Sequence, residues 1–183
     1  MVSNIQKNCN THYDTGEFKF NKESLKQAND ALNRYPSDRK SSAVMPLLHI
    51  AQKQCGGLIP IAAMNYIADF LDMKPIHVYE VAKFYSMYNL SVTGKYLVQV
   101  CRTTPCWLCG SDNVLKACKE FLNIDVGSTT DDNLFTLKEV ECLGACVNAP
   151  VVQINDDYYE KLNADKIKNI LIEYKKKENI IID

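Results

Sequence analysis

Residues 96–112, YLVQVCRTTPCWLCGSD, and residues 135–146, FTLKEVECLGAC, decide the fold when they are read together. In each, a short apolar run that reads as a strand ends in a pair of cysteines, Cys101 and Cys106 in the first and Cys142 and Cys146 in the second. Two loops at strand ends can converge on one point. Four thiolates converging on one point make a metal site, most simply a [2Fe–2S] cluster with four cysteine ligands. The pattern points to an iron–sulfur protein that carries electrons.

Working outward, the spacing predicts a strand over 96–100 and a helix capped by Ser111 or Asp112, with Val114, Leu115, Cys118, Phe121 and Leu122 on its apolar side. Strands follow over 134–140 and 151–154. Asp156-Asp157 makes a turn, and Tyr158-Tyr159 starts the return strand of a hairpin. A last helix over 164–175 places Ile167, Ile170, Leu171 and Tyr174 on one face. This order of elements is α+β, a small sheet with helices packed on it.

Upstream of Gly94 the period is helical. Residues 1 to about 20 are polar and aperiodic and read as an extended arm. Asn21 caps a helix over 22–35, with Leu25, Ala28, Leu32 and Tyr35 on one face and Pro36 as its stop. A second helix, capped by Ser41 or Ser42, turns Val44, Leu47, Leu48 and Ala51 inward and ends at Gly56-Gly57. Pro60 opens a third, with Met64, Ile67, Ala68 and Leu71 in register. A fourth runs over 75–86 with Val78, Val81, Ala82 and Tyr85. Four amphipathic helices with short connections predict an N-terminal helical bundle. The aromatic group Phe84, Tyr85, Met87 and Tyr88 at its end reads as core or as a partner surface.

Composition narrows the function. Of 183 residues 46% are apolar, enough for a core, and the net charge of −1 argues against a nucleic-acid binder. The one charge run, Lys175-Lys176-Lys177, reads as the solvated end of a helix. No apolar stretch approaches the roughly 20 residues a membrane span needs. The first residues lack the apolar core of a signal peptide, and the absence of arginine before Arg34 makes a poor transit peptide. The eight cysteines therefore read as reduced thiols and metal ligands rather than a disulfide framework. The three histidines, His12, His49 and His77, all lie upstream of the cysteine loops, which weakens a histidine-containing zinc or Rieske-type site.

In the first loop Cys106 falls near a helix N-terminus, where partial positive charge favours the thiolate, and Pro105 stiffens the approach. In the second, Gly144 lets the backbone wrap closely and Ala145 leaves it uncrowded. Ala149–Pro150 is a candidate cis bond. Two other chemistries fit some of the same residues. Both loops have gaps that a structural zinc site accepts, giving a zinc-stapled interaction module. Cys106-Trp107-Leu108-Cys109 is a Cys-x-x-Cys between a strand and a helix, the context of a thiol–disulfide oxidoreductase. That second reading leaves Cys101, Cys142 and Cys146 without a role. On the cluster reading Cys109 is a fifth, non-ligating cysteine. Cys9, Cys55 and Cys118 read as isolated thiols, Cys118 in the core.

The segments VQVCRTTPCWLCGSD and VECLGACVNAPVVQINDDYYE strongly resemble the thioredoxin-like [2Fe–2S] subunit of respiratory complex I, NADH:ubiquinone oxidoreductase. RYPSDRKSSAVMPLLHIAQKQCGGLIPIAAMNYIADFL and VYEVAKFYSMYNL are similar to the helical region of the same family, so the resemblance covers residues 12–175. It implies an arm over 1–20, a helical domain over 21–93 and a thioredoxin-like ferredoxin domain over 94–183. It implies one [2Fe–2S] cluster on Cys101, Cys106, Cys142 and Cys146. FMN and NADH belong to a flavin-bearing NADH-oxidising partner subunit, and a neighbouring iron–sulfur subunit is a second partner. The chain then contributes to the proton-translocating NADH:ubiquinone reductase of the respiratory chain without being a catalyst alone, and holds one electron beside the flavin, off the main path to quinone. The segment HYDTGEFKF is similar to the start of mature mitochondrial members. That favours the matrix side of the mitochondrial inner membrane, with the cytoplasmic face of a bacterial plasma membrane as the alternative. Position 109 departs from the family, which more often carries Arg there, so a fixed positive charge near the cluster is missing.

Overall fold

The computed structural model describes residues 16–178, which form two units dividing after Val92. Most of the expected arm, with Cys9 and His12, lies outside the described residues.

The first unit is helical. Helix α1 (Lys22–Leu32) is capped by Asn21, whose side-chain oxygen accepts from the Ser24 backbone N–H at 2.8 Å. The helix ends at Leu32, earlier than Pro36 requires, and Leu25 is exposed while Ala28 and Ala31 are buried. A 3₁₀ turn (Lys40–Ala43) leads into α2 (Val44–Gln54), which buries Val44, Leu47, Leu48 and Ala51. Neither Ser41 nor Ser42 caps it, because both fall within the 3₁₀ turn. Helices α3 (Ile61–Leu71) and α4 (Pro75–Phe84) follow, and α2 packs against α1, α3 and α4. Residues 16–20 have no regular structure, yet Phe18 and Phe20 are buried and meet Tyr66 edge to face at 5.5 and 5.3 Å. The aromatic group after α4 is split. Tyr88 is core and donates to the Met45 carbonyl at 3.1 Å, whereas Phe84 is 79% exposed. Cys55 is not the isolated thiol the sequence suggests; it is disulfide-bonded.

The second unit is a four-stranded mixed sheet with helices. Strand β1 (Tyr96–Cys101) runs through α5 (Thr104–Leu108) and α6 (Ser111–Leu122) to β2 (Phe135–Val140), and β3 (Val152–Ile154), β4 (Asp157–Tyr159) and α7 (Ala164–Lys177) complete the chain. The sheet order is β2-β1-β3-β4, with β1 parallel to β2 and antiparallel to β3. A parallel neighbour requires a crossover, which α5 and α6 supply. The register pairs Cys101 with Val140, so the two cysteine loops leave adjacent strands at the same end. Val98, Val100, Leu137, Ile154, Ile167 and Leu171 are fully buried and fill the core under α6 and α7. Gly94 crosses β2 so closely that a Cβ there would lie 2.9 Å from the Phe135 carbonyl carbon, and its N–H donates to Thr136 Oγ1 at 2.6 Å. Only glycine permits that approach.

The short helix α5 is absent from the sequence reading, because five residues have too little periodicity to register. Its presence moves the cap of α6 to Gly110, at φ 90°, instead of Ser111 or Asp112.

Candidate metal centre

Cys101 ends β1 and Cys106 sits in α5, and both are 1% exposed. Cys142 and Cys146 flank the loop after β2 and are exposed. Their sulfurs are 3.7 Å apart. Gly144, at φ 81°, turns this loop through left-handed backbone, and its N–H donates to the Cys142 sulfur at 3.3 Å. The Cys101 and Cys106 thiols are near enough to influence each other's ionisation, and Cys146 is near enough to both for their charges to interact. The structure thus brings all four cysteines to one corner of the unit, beyond the ends of β1 and β2. Ala149–Pro150 is cis and precedes Val151, which packs on Cys101 and Cys106.

Backbone groups surround the sulfurs. Thr103 and Leu143 N–H groups reach Cys101, and the Val151 N–H reaches Cys106. The Cys101 thiol contacts Thr103 Oγ1 at 3.1 Å and donates to the Glu141 carbonyl at 3.0 Å. Donors around sulfur disperse thiolate charge and suit an iron–sulfur cluster, whose sulfurs carry net negative charge.

Among the described residues no three His, Cys, Asp or Glu side chains close round a single ion. A two-iron cluster would take two thiolates on each iron, whereas a structural zinc ion would draw four ligands into one tetrahedron.

Electrostatics separate the thiols. For Cys101, burial raises the pKa, but hydrogen bonds from Thr103 and Leu143 and from Cys106 outweigh it, and the net shift is downward. Burial first, and then the neighbouring Cys101, push Cys106 up to about 11. The helix that holds Cys106 has only five residues, and the thiol is buried. A dithiol oxidoreductase needs an accessible, acidic nucleophile at that position; here the accessible thiol is Cys109, three residues on. Cys118 is wholly buried in α6, and burial alone pushes it up to about 12.

Arg102 stands in no sequence motif, and Asp112 stands in one only as a candidate helix cap. The Arg102 guanidinium reaches Asp112 Oδ1 at 2.7 Å and Glu139 Oε1 at 2.5 Å. Asp112 Oδ2 also accepts from Trp107 Nε1 at 3.0 Å. The only sequence signal was opposite charge in neighbouring segments, which does not specify pairing.

The sequence profile of a family described as thioredoxin-like [2Fe-2S] ferredoxin matches residues 28–175. The chain is 54% identical over 157 residues, 86% of its length and 94% of the relative's, to a subunit of the NADH-quinone oxidoreductase of Rickettsia felis. It is 49% identical over 158 residues to the mitochondrial NADH dehydrogenase [ubiquinone] flavoprotein 2 of Dictyostelium discoideum, covering 86% of this chain and 64% of that one. A chain of an NAD+-reducing [NiFe]-hydrogenase superposes on 73% of this chain with a TM-score of 0.62 at 17% identity, using 22% of its own length, a likeness of fold.

Proposed function

Because the chain belongs to the thioredoxin-like [2Fe–2S] ferredoxin family, we propose that Cys101, Cys106, Cys142 and Cys146 hold its one [2Fe–2S] cluster. The chain is an electron-transfer subunit of NADH:quinone oxidoreductase, the complex its relatives are named for. The observation that carries the ligand assignment is the convergence of two cysteine pairs, with backbone donors aimed at their sulfurs.

When bound, the cluster takes up and returns one electron at a time. The chain's own residues set the conditions. Cys101 and Cys106 face the interior, where Val151 and Leu143 exclude water. Cys142 and Cys146 face outward beside Val147, which is 97% exposed, with Trp107 and Leu108 exposed on the other cysteine loop. Exposed apolar side chains on both cysteine loops suit contact with a protein partner.

The partner is the flavin-bearing NADH-oxidising subunit, with a neighbouring iron–sulfur subunit beside it. FMN and NADH sit on that partner, and hydride chemistry belongs to the flavin. The helical residues 21–93 form one domain and residues 94–183 the thioredoxin-like cluster domain. No helix among the described residues is long and apolar enough to cross a membrane. The address is the NADH-facing side of an energy-coupling membrane, the mitochondrial matrix side or, in a bacterial setting, the cytoplasmic face.

Optical and low-temperature EPR spectra of the purified chain, oxidised and dithionite-reduced, with iron and zinc counted on the same sample, test the assignment. Visible absorption that bleaches, about two irons per chain and a rhombic signal support it. A colourless chain that takes up one zinc, and no iron under anaerobic reconstitution, overturns it.

A further inference from the structure

We infer that Asp112 is a positioning residue for the first cysteine loop, tying the residue after Cys101 to the residue after Cys106; this rests on the ligand assignment above. One carboxylate takes both arms. Its Oδ1 accepts from Arg102 Nη2 at 2.7 Å, and its Oδ2 accepts from Trp107 Nε1 at 3.0 Å. Arg102 uses its second terminal nitrogen on Glu139 Oε1 of β2, at 2.5 Å. The Arg102 backbone N–H donates to the Val140 carbonyl at 3.0 Å. The chain Glu139–Arg102–Asp112–Trp107 therefore runs from β2, past the end of β1, through the first turn of α6, to α5.

The loop needs such a tie. Helix α5 has five residues and no side-chain cap, too short to hold its own conformation, since helix nucleation is costly. The position of Cys106 relative to Cys101 must come from tertiary contacts. Asp112 is free for this task because Gly110, not Asp112, caps α6. Arg102 Nε is buried without a partner. The guanidinium thus meets its neighbours through its two terminal nitrogens, and their two carboxylates fix its direction. The side chains of Arg102 and Asp112 are 30% and 53% exposed, so the pair adds little to overall stability, and its main effect is on geometry.

The test uses the full chain carrying its cluster, with Asp112→Ala, Asp112→Asn, Trp107→Phe and the Trp107→Phe/Asp112→Ala double variant. Asp112→Ala is expected to shift or broaden the EPR signal and to speed iron loss to a chelator about two- to fivefold, as expected for an exposed pair. Trp107→Phe leaves charge unchanged and should reproduce part of the effect. The double variant should be no worse than Asp112→Ala, because both break one network. Asp112→Asn, which keeps an acceptor, should fall between wild type and Asp112→Ala. In the metal-free chain the indole proton of Trp107, the one tryptophan, should exchange faster in Asp112→Ala than in wild type. An unchanged signal and unchanged iron loss in Asp112→Ala, with only the melting temperature lowered, overturn the positioning role. So does an indole proton that exchanges equally in both chains. If the wild-type chain takes up no [2Fe–2S] cluster, the ligand assignment fails, and the indole measurement still decides whether Asp112 ties the loop.

Discussion

The Cys142 and Cys146 sulfurs lie 3.7 Å apart at the surface, while the partner pair, Cys101 and Cys106, is closed off from solvent. The centre therefore has an inner and an outer side. The inner pair is held by strand β1 and helix α5. The outer pair is held by a loop that folds back on itself at Gly144.

This asymmetry separates the cysteine variants. Cys142→Ala should abolish iron retention and leave the far-UV circular dichroism of the chain intact, because its side chain is exposed. Cys106→Ala should abolish iron retention and also lower the melting temperature, because it removes a buried side chain. Cys109→Ser should keep the iron. Iron counted per chain beside a thermal melt checks all three; iron lost from Cys109→Ser and kept in Cys142→Ala would reverse the ligand assignment.

Two glycines should fail for different reasons. At Gly94 an added Cβ meets β2 backbone at 2.9 Å, so Gly94→Ala forces the strands apart and should cost about 1–3 kcal/mol in urea unfolding. At Gly144 the space is open but φ is 81°, so Gly144→Ala should cost about 1 kcal/mol through backbone strain alone. Its larger effect should be faster iron loss, since the strained residue shapes the outer loop.

Phe20 precedes the first helix and still belongs to the core. It meets Tyr66 at 5.3 Å and Phe70 at 6.2 Å, edge to face. Phe20→Ala should destabilise the chain by about 3–5 kcal/mol in denaturant titration. A cost near zero would mean that residues 16–20 contribute no packing.

Alkaline pH should weaken the fold through Cys118. Burial pushes its thiol up to about 12, from an ordinary value of 9.0. Above the ordinary value the unfolded chain releases the proton and the folded chain keeps it. The unfolded state then binds fewer protons, so stability is full below about pH 9 and falls as pH rises toward 12. The slope from one such group is at most about 1.4 kcal/mol per pH unit. Melting temperatures from pH 8 to 11 should decline less steeply in Cys118→Ala than in wild type, although the variant starts lower. Equal slopes would mean that the thiol ionises freely in the folded chain.

Much of the architecture was legible in particular residues. Asn21 and Pro60 open helices where the capping and proline rules put them, and Val44, Leu47, Leu48 and Ala51 share the buried face their spacing implies. Leu25 shows where spacing misleads. It sits on the expected apolar stripe, yet the helix turns Ala28 and Ala31 inward and leaves Leu25 exposed, because close packing against α2 favours the small side chains. Helix α5 was invisible, since five residues cannot display a helical period. The disulfide at Cys55 followed no spacing rule.

The sequence by itself determined the element order and the two cysteine pairs at strand ends, because hydrophobic period and residue chemistry are local properties of the chain. Only the tertiary structure decided that Cys101 and Cys106 lie inside while Cys142 and Cys146 face out, and that Asp112 binds Arg102 and Trp107 instead of capping α6. The physical reason is that burial, thiol acidity and charge pairing depend on which distant segments meet. That is set by the parallel register of β1 on β2, through contacts that no local pattern encodes.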